Sequence, residues 1–248
     1  MNCKKTMVTS DVNNISNPYA QMDKNTVNSK GQLAETDHVK FDFPADDGIR
    51  VMFVGNSITL HGKNANIGWH NECGMAASSK EKDYVHLLEA SIKKYDPKAS
   101  FCICQVADWE RGYKNGREVY AKYEAAREFS ADLIILRFIE NVPKADFDSD
   151  TFLREFDAFA DYLNNTGKAK LVITTAFWNH PGNNDIRLYA EKKGIPCVEL
   201  TDLGENDEMK AIGLFEHTGV ANHPGDKGMK AIADRIMDRV IKEGYLAR

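Results

Sequence analysis

Ser57, Asn141 and His223, met in that order along the chain, are residue types that together could perform acyl transfer. Ser57 stands in Gly55-Asn56-Ser57-Ile58-Thr59, directly after the apolar run RVMFVG. A glycine there lets the backbone turn sharply as it leaves a strand, which lifts the Ser57 hydroxyl and N–H above the sheet. A serine in this place also suits the cap of a helix. With Thr59 and neighbouring N–H groups it also suits a phosphate-cradling loop of flavodoxin-like type. Asn141 follows LIILRF and Ile139-Glu140; its amide can donate to a developing oxyanion, or serve only a turn. His223, in Gly219-Val220-Ala221-Asn222-His223-Pro224-Gly225-Asp226, is a candidate general base, although a single loop histidine is more often a surface group. A serine with a histidine is the nucleophile–base pair that acyl transfer requires.

The elements around these residues predict that they share one rim. Strand-like runs at 50–55, 101–106, 133–138, 171–176 and 195–200 alternate with helical patterns at 83–95, 118–129, 150–163, 184–193 and 226–242. Such alternation predicts βαβ units and a three-layer αβα sandwich on a central, mainly parallel five-stranded sheet. VKFDF at 39–43 alternates and suits one further edge strand. Residues 1–47 otherwise read as an irregular or partly disordered arm, leaving 48–248 as the catalytic domain. In an open α/β sheet the site forms beyond the carboxyl ends of the strands, where Ser57 and Asn141 fall.

Composition narrows the function classes. With 42% hydrophobic and 28% charged residues over 248 positions the chain reads as one ordinary globular domain. A net charge of -5 argues against a nucleic-acid partner and against an anionic membrane surface. Five cysteines with no CxxC pair suggest neither a disulfide framework nor a structural zinc, and Cys102 and Cys104 read as small buried hydrophobes. No metal cluster is visible, so no metal and no cofactor are expected. The opening residues MNCKKTMVTSDVNN carry no apolar run. The expectation is therefore a cytoplasmic protein, or a secreted or periplasmic one where a signal has been removed.

VMFVGNSIT resembles the first motif of the SGNH/GDSL serine hydrolases, with Asn56 where that family usually has Asp. Ile139-Glu140-Asn141 resembles the third motif and His223-Pro224 the last. The resemblance spans roughly residues 50–241 and implies an SGNH-hydrolase fold of flavodoxin-like topology. It implies Ser57 as nucleophile, His223 as base and Asn141 as oxyanion donor. Val220 stands where the family usually has the acid of the triad. The group orienting His223 is then a backbone carbonyl, Glu216 or Asp226, unless the pair works as a dyad. Asp226 also suits the cap of the last helix. The loop 107–112 takes the place of the second motif, so a backbone N–H near Ala107, Trp109 or Gly112 is the expected further donor. Asn56 and Glu140 line the same rim, Glu140 paired with Arg111 or Arg137 or facing solvent. Trp69, Trp178 and His180 are the expected substrate rim, where aromatic faces beside amides suit sugar rings, although packing would explain the tryptophans equally. The expected substrate is a short acyl ester, chiefly acetyl, on a small molecule or carbohydrate. A glycan-binding protein of little turnover and a flavin- or phosphate-binding module are the alternatives. The oligomeric state is left open.

Overall fold

The computed structural model describes residues 33–43 and 47–246. Most of the arm expected over residues 1–47 lies outside the described residues. Its alternating segment forms β1 (Val39–Asp42), an edge strand. The sheet continues with β2 (Arg50–Gly55), β3 (Ser100–Gln105), β4 (Leu133–Arg137), β5 (Lys170–Thr174) and β6 (Cys197–Val198), in spatial order β1-β3-β2-β4-β5-β6. All neighbours are parallel except β1, which runs antiparallel to β3. The sheet thus has six strands rather than five. β6 is also shorter than 195–200, because it is paired only with Ile173 and Thr174 of β5.

The two central strands explain their own sequences. β2 and β4 lie mid-sheet with every residue buried, so both run as unbroken apolar stretches rather than alternating ones. The exceptions are Arg50, which opens β2, and Arg137, which closes β4. One face of the sheet is covered by α4 (Ser149–Leu163) and α5 (Asn183–Lys193) through Phe152, Phe156, Phe159, Ile186 and Tyr189. The other is covered by α1 (Tyr84–Ile92) and α8 (Asp226–Lys242). In α8, Met229, Ile232, Ala233, Ile236 and Val240 recur at helical spacing, and each large side chain so buried contributes roughly 1.5–3 kcal/mol. Cys102 and Cys104 are buried on the α4 face, as expected of small hydrophobes.

The helix expected over 118–129 forms only in part. Residues 113–123 take 3-10 turns with a break at Asn115, and α3 is confined to Glu124–Glu128. Close packing against an indole accounts for this: a Cβ on Gly116 would come within 2.4 Å of Trp109 Nε1. Trp109 lies on α2 (Ala107–Arg111) and stacks on Phe159 at 5.0 Å. The remaining short helices are α6 (Thr201–Glu205) and α7 (Thr218–Ala221). No described helix is long and apolar enough to cross a membrane.

Candidate active site

The turn after β2 carries Ser57. A Cβ on Gly55 would sit 1.8 Å from Thr59 Oγ1, so only glycine lets the chain fold back this tightly. The N–H groups of Thr59 and Leu60 donate to the Asn56 carbonyl, and Met75 N–H donates to the Ser57 carbonyl. Thr59 Oγ1 pairs with Tyr84 Oη at 2.7 Å. The N–H groups of Ile58, Thr59 and Leu60 and the Thr59 hydroxyl are therefore engaged, which disfavours a phosphate cradle. Ser57 N–H takes no partner among the described residues.

His223 arrives from the opposite end of the chain. α7 and the turn into α8 bring its Nε2 to 2.8 Å from Ser57 Oγ. Its Nδ1 lies 2.7 Å from the Gly219 carbonyl oxygen. A carbonyl only accepts, so Nδ1 carries the proton and Nε2 has the free lone pair that accepts from the Ser57 hydroxyl. Trp178 sets its ring edge-on to the imidazole at 5.0 Å and donates its indole N–H to the Asn222 carbonyl at 3.2 Å. Burial of the ring pushes the His223 pKa down to about 4, against the upward pull of the Gly219 carbonyl. The imidazole is thus neutral, and able to accept a proton, across the whole neutral range.

Neither acid expected to orient His223 does so. Asp226 turns the other way, accepting from Ser78 N–H, Ser78 Oγ and Lys82 Nζ at 2.7–2.9 Å. The cap of α8 falls to Gly225. Glu216 is exposed before α7, and the Nδ1 site is taken by Gly219. Val220 is buried in a small apolar cluster with Trp69, Cys73 and Met75.

The expected donor loop at 107–112 is instead α2. Ala107 N–H donates to Gln105 Oε1, Trp109 N–H to Tyr123 Oη, and Gly112 N–H to the Asp108 carbonyl. Trp109 is fully buried and cannot touch substrate. Two of the expected rim residues are also core groups. Trp69 is 1% exposed, packed on Phe215, and His180 is 2% exposed with its nitrogens engaged by the Val142 carbonyl and Gly182 N–H. Trp178 alone of the three tryptophans stays half-buried at the rim, with exposed Asn179 beside it.

What α2 does supply is Glu110, which sequence reasoning passed over. It joins a buried polar network beneath Ser57. The Asn56 amide donates to Glu110 Oε1 at 3.0 Å and to Glu140 Oε2 at 2.6 Å, while Asn56 Oδ1 accepts from Arg137 Nη2 at 2.6 Å. Arg137 Nη1 donates to Glu140 Oε1 at 2.6 Å, and Phe177 N–H donates to the same oxygen at 3.0 Å. Burial alone would raise the Glu140 pKa, but the Arg137 guanidinium outweighs it and holds the carboxyl below its usual range. Glu140 is therefore a structural ion pair with Arg137 rather than a group facing solvent. Asn141 sits at the edge of this network with its Nδ2 2.7 Å from Glu110 Oε2. A buried Arg in the apolar run of β4 was the sequence signal for such carboxylates, since a charge is seldom buried unpaired.

No family model matches the sequence, and no curated protein matches it. Solved structures do. A psychrotrophic esterase of Pseudoalteromonas sp. aligns over 78% of this chain and 97% of its own, with TM-score 0.53 and 13% identity. A protein of Parabacteroides merdae described as a GDSL-like lipase aligns over 77% and 94%, with TM-score 0.52 and 14% identity. A two-domain esterase active on acetylated mannans aligns over 78% of this chain but 49% of its own, with TM-score 0.52 and 18% identity. The chain has the fold of the GDSL esterases and lipases. Within that GDSL fold the Ser57–His223 pair lies at the carboxyl rim of the parallel strands, where open α/β sheets hold their sites. Among the described residues no group of three or more His, Cys, Asp or Glu side chains could hold a metal ion.

Proposed function

We propose that the protein is a serine esterase of short acyl esters, with Ser57 as nucleophile and His223 as its base. The observation that carries this reading is the 2.8 Å contact between Ser57 Oγ and the unprotonated Nε2 of His223. Ser57 Oγ attacks the ester carbonyl carbon while its proton passes to His223 Nε2. The carbonyl oxygen becomes an oxyanion held by Ser57 N–H and one hydrogen of the Asn141 amide. The Nε2 proton then goes to the departing alkoxide, leaving an acyl-serine. Water, losing its proton to Nε2, attacks the acyl carbon and releases the acid, and Ser57 recovers its proton. The half-buried Trp178 and exposed Asn179 favour a polar alcohol such as a sugar, so an acetylated carbohydrate is the proposed substrate.

A fluorophosphonate probe tests the nucleophile directly, since attack by an activated serine displaces fluoride and leaves a stable phosphonyl-serine. Mass spectrometry is expected to find the label on Ser57, with labelling lost in His223→Ala. A folded protein that stays unlabelled, or is labelled elsewhere, overturns the reading. The carbonyl where a triad has a carboxylate favours a second reading, a glycan-binding protein of little turnover. That reading predicts no label, together with saturable binding of an acetylated sugar.

The pH at which activity finally disappears follows from His223. Its depressed pKa keeps the base form populated on acidification, so the complete loss of kcat/KM is expected near pH 4 rather than near the ~6.5 of an ordinary histidine. A pH–rate profile with p-nitrophenyl acetate, in which all activity is gone by about pH 6, would contradict this.

A further inference from the structure

An oxyanion donor works only if it is aimed before the charge appears, and Asn141 lies on a loop that does not aim it by itself. Glu110 meets it there. Four donors converge on this fully buried carboxylate. Oε1 accepts from Ile139 N–H at 2.7 Å, Asn56 Nδ2 at 3.0 Å and Asn141 N–H at 3.3 Å. Oε2 accepts from Asn141 Nδ2 at 2.7 Å. We infer that Glu110 is the positioning residue of the oxyanion hole, taking one hydrogen of the Asn141 amide so that the other is turned toward the ester oxygen. The inference rests on the Ser57–His223 reading.

The geometry leaves the amide little freedom. A carboxylate accepts and does not donate, so the nitrogen of Asn141, not its oxygen, must face Glu110. Once one N–H of a planar amide is fixed, the direction of the other is fixed with it. The backbone N–H bonds of Ile139 and Asn141 to the same carboxylate hold the loop itself in register. Glu110 is fully buried, and a charge-assisted bond is stronger than a neutral one.

The groups facing Glu110 also set when it holds. Glu140 and Asn56 face it directly, Arg137 lies behind them, and Tyr123 approaches from the 3-10 segment. Burial and then the Glu140 charge push its pKa up to about 7. All four of its partners donate, so the ionised form is the one that fits. As the pH falls through about 7 the carboxyl gains a proton, one donor loses its acceptor, and the Asn141 amide is released.

The test is a double-mutant cycle on kcat, run beside a pH profile. Asn141→Ala is expected to lower kcat about 10²-fold or more. Glu110→Gln is expected to lower kcat about 10- to 100-fold with KM within about twofold. In the Asn141→Ala background, Glu110→Gln should cost less than about twofold. The partial fall of kcat near neutrality should vanish in Glu110→Gln, which cannot titrate there. If that variant does not fold, Glu110→Asp keeps the charge, withdraws it by one methylene, and enters the same cycle. A cost undiminished by Asn141→Ala, or a step near neutrality that persists without a glutamate, overturns the inference. Turnover surviving in Ser57→Ala would instead remove the hydrolase reading, whereas a dead Ser57→Ala with an additive cycle removes only the role of Glu110.

Discussion

Ser57→Ala and His223→Ala are each expected to lower kcat by at least about 10³-fold, and to the same floor. The serine without its base is an ordinary alcohol, and the base without its serine has nothing to activate. The double variant should therefore be no slower than either single one. The floor itself comes from the oxyanion donors and substrate binding, which survive both changes. The drop should be smaller than in a full triad. A neutral carbonyl on Nδ1 stabilises the imidazolium of the transition state less than a carboxylate does, so the unaltered protein starts from a lower rate. The measurement is kcat on p-nitrophenyl acetate for the three variants, with far-UV circular dichroism to establish that each is folded. Turnover by Ser57→Ala within about tenfold of the unaltered protein would sink the assignment. So would a double variant much slower than both singles, because then the two groups would not act as one unit.

The meeting of Ser57 with His223 was legible because each stands where a strand-like run ends or the last helix begins, and topology does the rest. The strand at 50–55 could be read from its unbroken apolar run, and the last helix from its stripe at 229–240. The partner of His223 Nδ1 could not be read, because a backbone carbonyl leaves no mark in sequence. Glu216 and Asp226 were near in number but wrong in direction: Asp226 is drawn to Ser78 and Lys82 across 148 and 144 residues of chain. Glu110 was hidden for a related reason. In Ala107-Asp108-Trp109-Glu110-Arg111-Gly112 the charges suggest a wet loop, and nothing local says that one carboxylate points inward to residues 139 and 141. Trp69 and His180 were misjudged together. Their types suit a sugar rim, and only packing reveals that both are buried. The 3-10 stretch failed because contact with Trp109 overrode a weak helical pattern. The sixth strand, β1, is the edge strand that the alternation of VKFDF had suggested.

Asn56→Asp restores the residue that the resembled motif usually carries, yet it is expected to be among the most damaging single changes in the protein. Asn56 is fully buried, and its amide nitrogen is the only donor shared by Glu110 and Glu140 among the described residues. An aspartate of the same shape would keep the acceptor facing Arg137, but would turn its second oxygen toward two carboxylates at distances where the nitrogen now donates. Three buried carboxylates would then share one guanidinium. Removing the donor and adding a charge are both costly at this depth, together about 3–5 kcal/mol. For a chain of this size that lowers the Tm by roughly 10 °C. The sign of the pH dependence follows. The new carboxyl would have a folded pKa raised above its unfolded value, so the cost of its charge is absent while it is protonated and is felt as the pH rises through its folded pKa. The gap in Tm between the two proteins should therefore widen from about pH 5 to about pH 8. Thermal melts across that range decide it, and equal Tm values throughout would mean that the Asn56 amide does not hold the two glutamates together. In that case the network beneath Ser57 would owe its stability to Arg137 alone. The departure from the motif would then be incidental rather than the consequence of having Glu110 and Glu140 already in place.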